Sequence, residues 1–240
     1  MKAPVEAAPP SVSVVLPMYN EEAYVRRAVD AARAALRDLG GEGHEIVLVN
    51  DHSTDATVEI AEELARDDLS VRLVHNEGPR GLGATLRRGY AAASKELVLY
   101  TDADLPFDLL ELSRAVRLLD YQHADVLAAY RFDRTSEGLL RTAYTLAYSA
   151  LIRSLFALRL RDINFSFKLF RRSLLEKVHL ASEGSFIDAE FLLRARKAGA
   201  SIIQIGVDYF PRSRGVSTLA SPAVIREILR EMLALWRELR

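Results

Sequence analysis

The chain has 240 residues, 50% hydrophobic and 27% charged, with a formal net charge of -1. That length suits one α/β domain or two small ones with a sizeable core, and the near-neutral balance argues against bulk nucleic-acid binding. It has no cysteine, which excludes disulfides and Cys-based zinc sites and suits a reducing compartment, and its five histidines show no paired metal-binding spacing.

In chain order, residues 1–10 ("MKAPVEAAPP") carry an acid and three prolines without an apolar stretch, and read as a short disordered arm rather than a signal peptide. Val12 to Leu16 reads as a buried strand, and Glu21 to Leu39 as a helix with apolar positions at helical spacing. "GGEGH" breaks it before a second strand, Glu45 to Val49. Thr54 or Asp55 caps a helix running to about Arg66, and Val71 to Val74 is a third strand. The glycine-rich "NEGPRGLG" leads into a helix from Ala84 to Ala93. Leu97 to Thr101 is a fourth strand, Asp108 to Leu119 a helix opened by its acid, and Asp125 to Ala129 a strand.

The second part reads differently. Gly138 to Leu160 is a long helical stretch, and Gly138 to Arg161 holds four arginines and no acid. "FSFKLF" alternates as a short strand, helices follow near Arg172 to Val178 and Ile187 to Ala198, and Ile202 to Ile205 is a further strand. Ser221 as N-cap and Pro222 at the first helical position open a last amphipathic helix over 220–240, a docked or dimerising one. No run of about twenty uncharged apolar residues occurs, so no transmembrane helix is expected.

Short apolar strands separated by helical periods predict an α/β fold, with a mostly parallel central sheet covered by helices on both faces. Ligands of such sheets bind beyond the carboxyl ends of the strands. That places "PMYNE", "NDHSTD" and "DAD" on one rim. Residues two apart in extended chain point the same way, so Asp102 and Asp104 face one point past the fourth strand. Two such carboxylates raise each other's pKa unless a cation sits between them. Mg²⁺ or Mn²⁺, held by one or two carboxylates plus substrate phosphates, answers that need. A bare D-x-D is more often a pair of turn and cap residues, so its surroundings decide.

Those surroundings are specific. "VSVVLPMYNEEAYV", "EIVLVNDHSTDAT", "GPRGLGATLRRGYAAA" and "LVLYTDADLP" follow one another as in the family 2 glycosyltransferases. "RDINFSFKLFRRSLL", "GSFIDAEFLLRARKAGASI" and "YFPRSRGVST" resemble the subgroup around dolichyl-phosphate mannose synthase and the polyprenyl-phosphate glucosyltransferases. The resemblance covers Ser11 to about Leu219 and implies a GT-A, Rossmann-like domain over 11–219. Its nucleotide-sugar half is about 11–130 and its acceptor half about 131–219. It further implies that Pro17, Tyr19 and Glu21 contact the donor nucleotide, and that Val49 and Asp51 hold base and ribose. Asp102, Ala103 and Asp104 line the donor, with Asp102 facing ribose or metal and Asp104 ligating the metal, while Arg131 and Arg212 hold phosphates. Two positions depart from the mannose synthases, Pro106 in place of a glutamine ligand and Thr218 in place of a lysine.

The resemblance implies inverting transfer of a hexose from a UDP- or GDP-linked donor. A hydroxyl acceptor needs a general base, whereas a lipid phosphate, with a second pKa near 6, is already largely ionised. The basic, apolar stretch after Gly138 suits a polyprenyl phosphate and an interfacial helix, although a core helix with solvent-facing arginines has the same pattern. Asp162 matches the acid placed near the acceptor or acting as base, and Asp188 and Glu190 match the base region of hydroxyl-transferring relatives. The expectation is a peripheral enzyme at the cytoplasmic face of a membrane. The alternatives are a hydroxyl-acceptor transferase and a non-catalytic nucleotide-sugar-binding module. A dinucleotide dehydrogenase fits less well, because "GPRGLG" lacks the G-x-G-x-x-G spacing and follows the third strand instead of the first.

Overall fold

The computed structural model describes residues 9–132, 139–210 and 222–240. Strands and helices alternate: β1 (Val12–Met18), α1 (Val25–Leu39), β2 (Glu45–Asn50), α2 (Thr57–Asp67), β3 (Val71–His75), α3 (Leu82–Ala92), β4 (Leu97–Tyr100) and α4 (Glu111–Tyr121). Then come β5 (Val126–Arg131), α5 (Leu139–Phe156), β6 (Lys168–Arg171), a 3-10 turn (Arg172–Glu176), α6 (Ile187–Lys197), β7 (Ile202–Val207) and α7 (Pro222–Leu239).

The strands form one sheet in the order β3-β2-β1-β4-β6-β5-β7. All pairings are parallel except those of β6, which runs against both β4 and β5. The expected mostly parallel sheet is therefore present, and all strands but β6 end on one rim. Strand order reverses between β1 and β4, so the crevice that such sheets offer to ligands opens there.

The sheet is buried on both faces. Val14, Leu16, Ile46 and Leu48 pack under α1, α2 and α4, while Val15, Val47, Val49 and Val98 pack toward α3, α5, α6 and α7. Each such side chain contributes about 1.5–3 kcal/mol on burial, which explains strands that read as continuous apolar runs. α7 lies against its own chain. Ile228, Met232 and Leu239 are buried, Glu231 Oε1 accepts from the Glu183 and Gly184 amides (2.7 and 2.9 Å), and Arg194 Nη2 donates to Glu238 (2.9 Å).

Element ends differ from the sequence reading where side chains compete for the backbone. α1 starts at Val25 instead of Glu21; a turn precedes it, in which the Tyr24 and Val25 amides donate to the Glu21 carbonyl (2.8 and 3.1 Å) while the Asn20 and Glu21 amides donate to Ser53 Oγ and Thr57 Oγ1. The cap position of α2 falls to Ala56 instead of Thr54 or Asp55, and Asp55 just before it accepts from the Thr57 amide (3.0 Å). Asp108 opens the turn before α4, accepting from the Leu110 amide (3.0 Å), and the helix begins three residues later. Only the second half of "FSFKLF" is strand, since the Phe167 amide bonds the Phe165 carbonyl (2.9 Å) and turns the chain before the ladder starts. The Ser221 cap lies outside the described residues.

Candidate active site

At the end of β1, Pro17 pairs in register with Val49 of β2. Tyr19 stands 43% exposed past the strand, with the Arg80 guanidinium 3.5 Å from its ring centroid. Asn20 adopts φ +54° and accepts from the Thr54 amide (2.8 Å), which ties "PMYNE" to "NDHSTD". Asp51, past the end of β2, is buried and fastens the loop after β3. Its Oδ1 accepts from Asn76 Nδ2 (2.9 Å) and its Oδ2 from the Gly81 amide (3.0 Å). Val49 has its side chain fully buried against Gly89 of α3, so only its backbone borders the rim.

β4 ends at Tyr100, and the two acids follow on a tight turn. The Leu105 amide donates to the Asp102 carbonyl (3.2 Å), and Leu105 takes φ +50°. Asp102 is half-buried, while Ala103 and Asp104 are buried. The Tyr100 hydroxyl donates to Asp102 Oδ1 (3.2 Å). Opposite Tyr100 in the ladder stands Lys168, 99% buried, its Nζ 5.4 Å from the Tyr100 ring centroid. Lys168 Nζ donates to the Phe165 carbonyl (2.8 Å) and to Asp188 Oδ1 (2.5 Å). Burial pushes the Asp188 carboxyl above the ordinary aspartate range. The Lys168 ammonium opposes that rise, and the charges of Asp102 and Asp162 add to it. Burial, then the Asp102 charge, likewise pushes the Tyr100 hydroxyl well up, so it stays protonated and donates.

The donor set suits one kind of metal. Among the described residues no three His, Asp or Glu side chains gather into a protein cage. Two carboxylates at a strand end fit a hard cation that takes its other ligands from water and phosphate, as Mg²⁺ and Mn²⁺ do. Asp102 and Asp104 are the residues that would hold it.

Further along the rim, Arg131 ends β5. Its Nε and Nη2 donate to the two oxygens of Asp162 (2.7 and 3.1 Å), and both side chains are almost wholly buried. The guanidinium also lies 5.3 Å from the Phe165 ring centroid and 5.2 Å from that of Tyr209. Asp162 is thus engaged in a two-pronged grip on Arg131. Glu190, two residues beyond Asp188 on α6, is wholly buried and turned elsewhere. It accepts from the Ala181 and Ser182 amides (2.9 and 2.8 Å) and from Arg194 Nε (2.7 Å). Arg212 and Thr218 lie outside the described residues. Pro106 uses its carbonyl to accept from the Phe210 amide (2.8 Å), joining the acidic turn to the chain after β7.

The glycine-rich loop serves a close backbone approach. The Glu183 carbonyl accepts from the Gly83 amide (2.7 Å) at the start of α3, and a Cβ on Gly81 or Gly83 would run into the Ser182–Glu183 backbone. The α3 N-terminus is thereby capped by protein, so this loop is not an open phosphate cradle.

The model of "Glycosyl transferase family 2" matches residues 13–179. The chain belongs to that family. It is 32% identical over 212 residues to the glycosyltransferase AglD of Haloferax volcanii, covering 86% of this chain and 34% of that protein. It is 29% identical to the dodecaprenyl-phosphate galacturonate synthase of Rhizobium johnstonii, covering 91% and 64%. It is 33% identical to the undecaprenyl-phosphate 4-deoxy-4-formamido-L-arabinose transferase of Pseudomonas paraeruginosa, covering 72% and 51%. The chain thus spans about a third to two thirds of the length of these relatives. Glucosyl-3-phosphoglycerate synthase of Mycobacterium tuberculosis, solved with Mn²⁺ and UDP-glucose, superposes with a TM-score of 0.75 at 22% identity, covering 94% of this chain and 78% of that one. The fold is accordingly the GT-A fold of the glycosyltransferases, as its sequence motifs implied.

Within this family 2 chain, the rim carries Tyr19, Glu21, Asp51, Asp102, Asp104 and Arg131, with Asp162 and Asp188 behind it. Sequence reasoning passed over Tyr100, Lys168, Asn76 and Arg80. One signal was available: Lys168 sits between phenylalanine and leucine in an apolar strand, where an ammonium demands a buried partner.

Proposed function

We propose that this protein is an inverting, metal-dependent glycosyltransferase that moves a hexose from a nucleotide diphosphate sugar to a polyprenyl phosphate. The observation that carries the reading is the acidic pair, Asp102 and Asp104, placed past the end of β4 at the sheet's switch point. The polyprenyl-phosphate relatives support the acceptor class.

In this reading Tyr19 and Asp51 flank the donor nucleotide, and Asp102 and Asp104 hold Mg²⁺ or Mn²⁺ against the donor diphosphate. A cation held there would supply positive charge to offset that developing on the leaving diphosphate. Arg131, held in direction by Asp162, presents a fixed positive charge to phosphate. The acceptor phosphate attacks already ionised, so no side chain has to remove its proton. That suits a rim where the acids proposed as bases are engaged, Asp162 by Arg131, Asp188 by Lys168 and Glu190 by backbone amides.

Membrane contact is assigned to the face shared by α5 and α7. No described helix is long and apolar enough to cross a membrane. Ser149, Ile152 and Phe156 turn α5 inward, while Leu146, Arg153 and, on α7, Leu233 remain exposed. Exposed leucines beside arginines suit peripheral contact with anionic headgroups.

The test is to incubate the protein with Mn²⁺, a polyprenyl phosphate and radiolabelled UDP- and GDP-hexoses, and to count label extracted into organic solvent. Lipid label from one donor, abolished in a folded Asp104→Ala variant, is the expected result. Nucleotide release with no lipid label would move the acceptor to a hydroxyl. Full activity of Asp104→Ala would remove the metal role.

A further inference from the structure

We propose that Tyr100 is a positioning residue for the metal and donor site, fixing the Asp102 carboxylate from below through its hydroxyl, itself steadied by the buried Lys168–Asp188 ion pair. The inference rests on the metal role given above to Asp102.

Tyr100 is 1% exposed, and its ring packs in the core cluster under α3 and α6. Phenylalanine would fill that space equally well. A phenol placed there must find an acceptor for its proton, because an unpaired buried hydroxyl costs free energy. The acceptor it finds is Oδ1 of the first acid of the D-x-D. The pairing follows from the backbone: positions 100 and 102 are two apart at the end of a strand and share a side.

The 3.2 Å separation is long for a hydroxyl on a carboxylate, and such contacts commonly shorten once a site is loaded. A carboxylate oxygen has two lone pairs, so the bond orients Asp102 without using up its capacity for a cation.

The support beneath Tyr100 is unusually polar for a core. Lys168 is its direct partner across the antiparallel β4–β6 pair, with Nζ over the ring. Lys168 in turn bonds Asp188 in the first turn of α6. Burying an ammonium and a carboxylate costs about what their attraction returns, so stability alone does not favour the pair over an apolar one. The array does connect α6, β6 and β4 to Asp102, and it makes the position of one phenol oxygen depend on three elements.

Two single-atom deletions separate this role from plain packing. Tyr100→Phe removes the hydroxyl under Asp102. Tyr90→Phe removes another buried tyrosine hydroxyl, from a ring in the same core cluster that feels the Asp188 charge but makes no hydrogen bond to Asp102. Mn²⁺ binding would be followed by electron paramagnetic resonance with UDP and, in parallel, GDP present, and melting would be followed without metal or nucleotide. Wild-type binding that is lost in Asp104→Ala establishes the metal reading independently. The expected result is Mn²⁺ affinity about tenfold weaker in Tyr100→Phe, the scale of a lost hydrogen bond to a charged group, with Tyr90→Phe near wild type. Equal affinity in Tyr100→Phe and wild type overturns the positioning role and leaves the metal reading intact. Equal weakening in both variants also overturns it, because any buried hydroxyl would then do. No Mn²⁺ binding by the wild type with either nucleotide overturns both.

Discussion

Replacing Asp162 with alanine distinguishes a proton-transferring acid from one that holds another residue. In the structure both Asp162 oxygens accept from Arg131, and the two side chains are 0% and 6% exposed. Alanine leaves the guanidinium buried beside the Phe165 and Tyr209 rings without this counter-charge. Breaking a buried pair from one side costs about 3–5 kcal/mol, a large share of the 5–15 kcal/mol that typically stabilises a domain. At about 2–4 °C per kcal/mol for a chain of this size, the melting temperature should fall by roughly 6–20 °C. Asp162→Asn keeps the shape and one acceptor oxygen, so its fall should be smaller. Calorimetry on wild type and both variants reads this directly, with donor and acceptor kinetics on the same preparations. If Asp162→Ala melts within 2 °C or so of wild type while turnover disappears, the pair carries little stability and the argument that Asp162 serves Arg131 is wrong. Asp162 would then return as the candidate base.

Two further outcomes follow from other parts of the chain. Glu45 is desolvated by burial, but hydrogen bonds from Ser13, Ser94 and Arg72 outweigh that and hold its pKa below the ordinary glutamate value of 4.5. The unfolded chain therefore binds the proton more tightly. Glu45 adds stability that is present above pH 4.5 and is lost as pH falls through the lower folded value. Glu45→Gln should show a shallower loss of stability on acidification below pH 4.5, and an unchanged slope in urea melts across that range would contradict the assignment. Charge reversal at Arg153 and Arg159, both exposed, should weaken flotation with anionic vesicles while leaving the melting temperature unchanged; undiminished flotation would remove that face from membrane contact.

Much of the fold was legible because its signals are local. The runs at Val12 and Leu97 are almost wholly apolar, Ser13 being the polar exception, because both faces of these strands are covered, and such strands alternating with helical periods permit little besides a parallel α/β sheet. Helix ends were less legible: α1 starts four residues after Glu21, behind a turn whose backbone is tied to Ser53 and Thr57 across the rim, contacts that no local pattern shows. The D-x-D was visible as a motif, and the rim it occupies followed from the rule for strand ends. Val49, although part of a motif, has its side chain turned into the core, because alternation along β2 sends it under α3.

By itself, the sequence determined the family, the α/β class and the acidic pair at a strand end, since each rests on residues close together in the chain. The tertiary structure decided which charges meet. Arg131 and Asp162 lie 31 positions apart, Lys168 and Asp188 lie 20 apart, and Tyr100 stands over Lys168 only because β6 runs backward beside β4. A buried charge is tolerable only with a partner, and the partner is supplied by the crossing of elements, which no local pattern encodes.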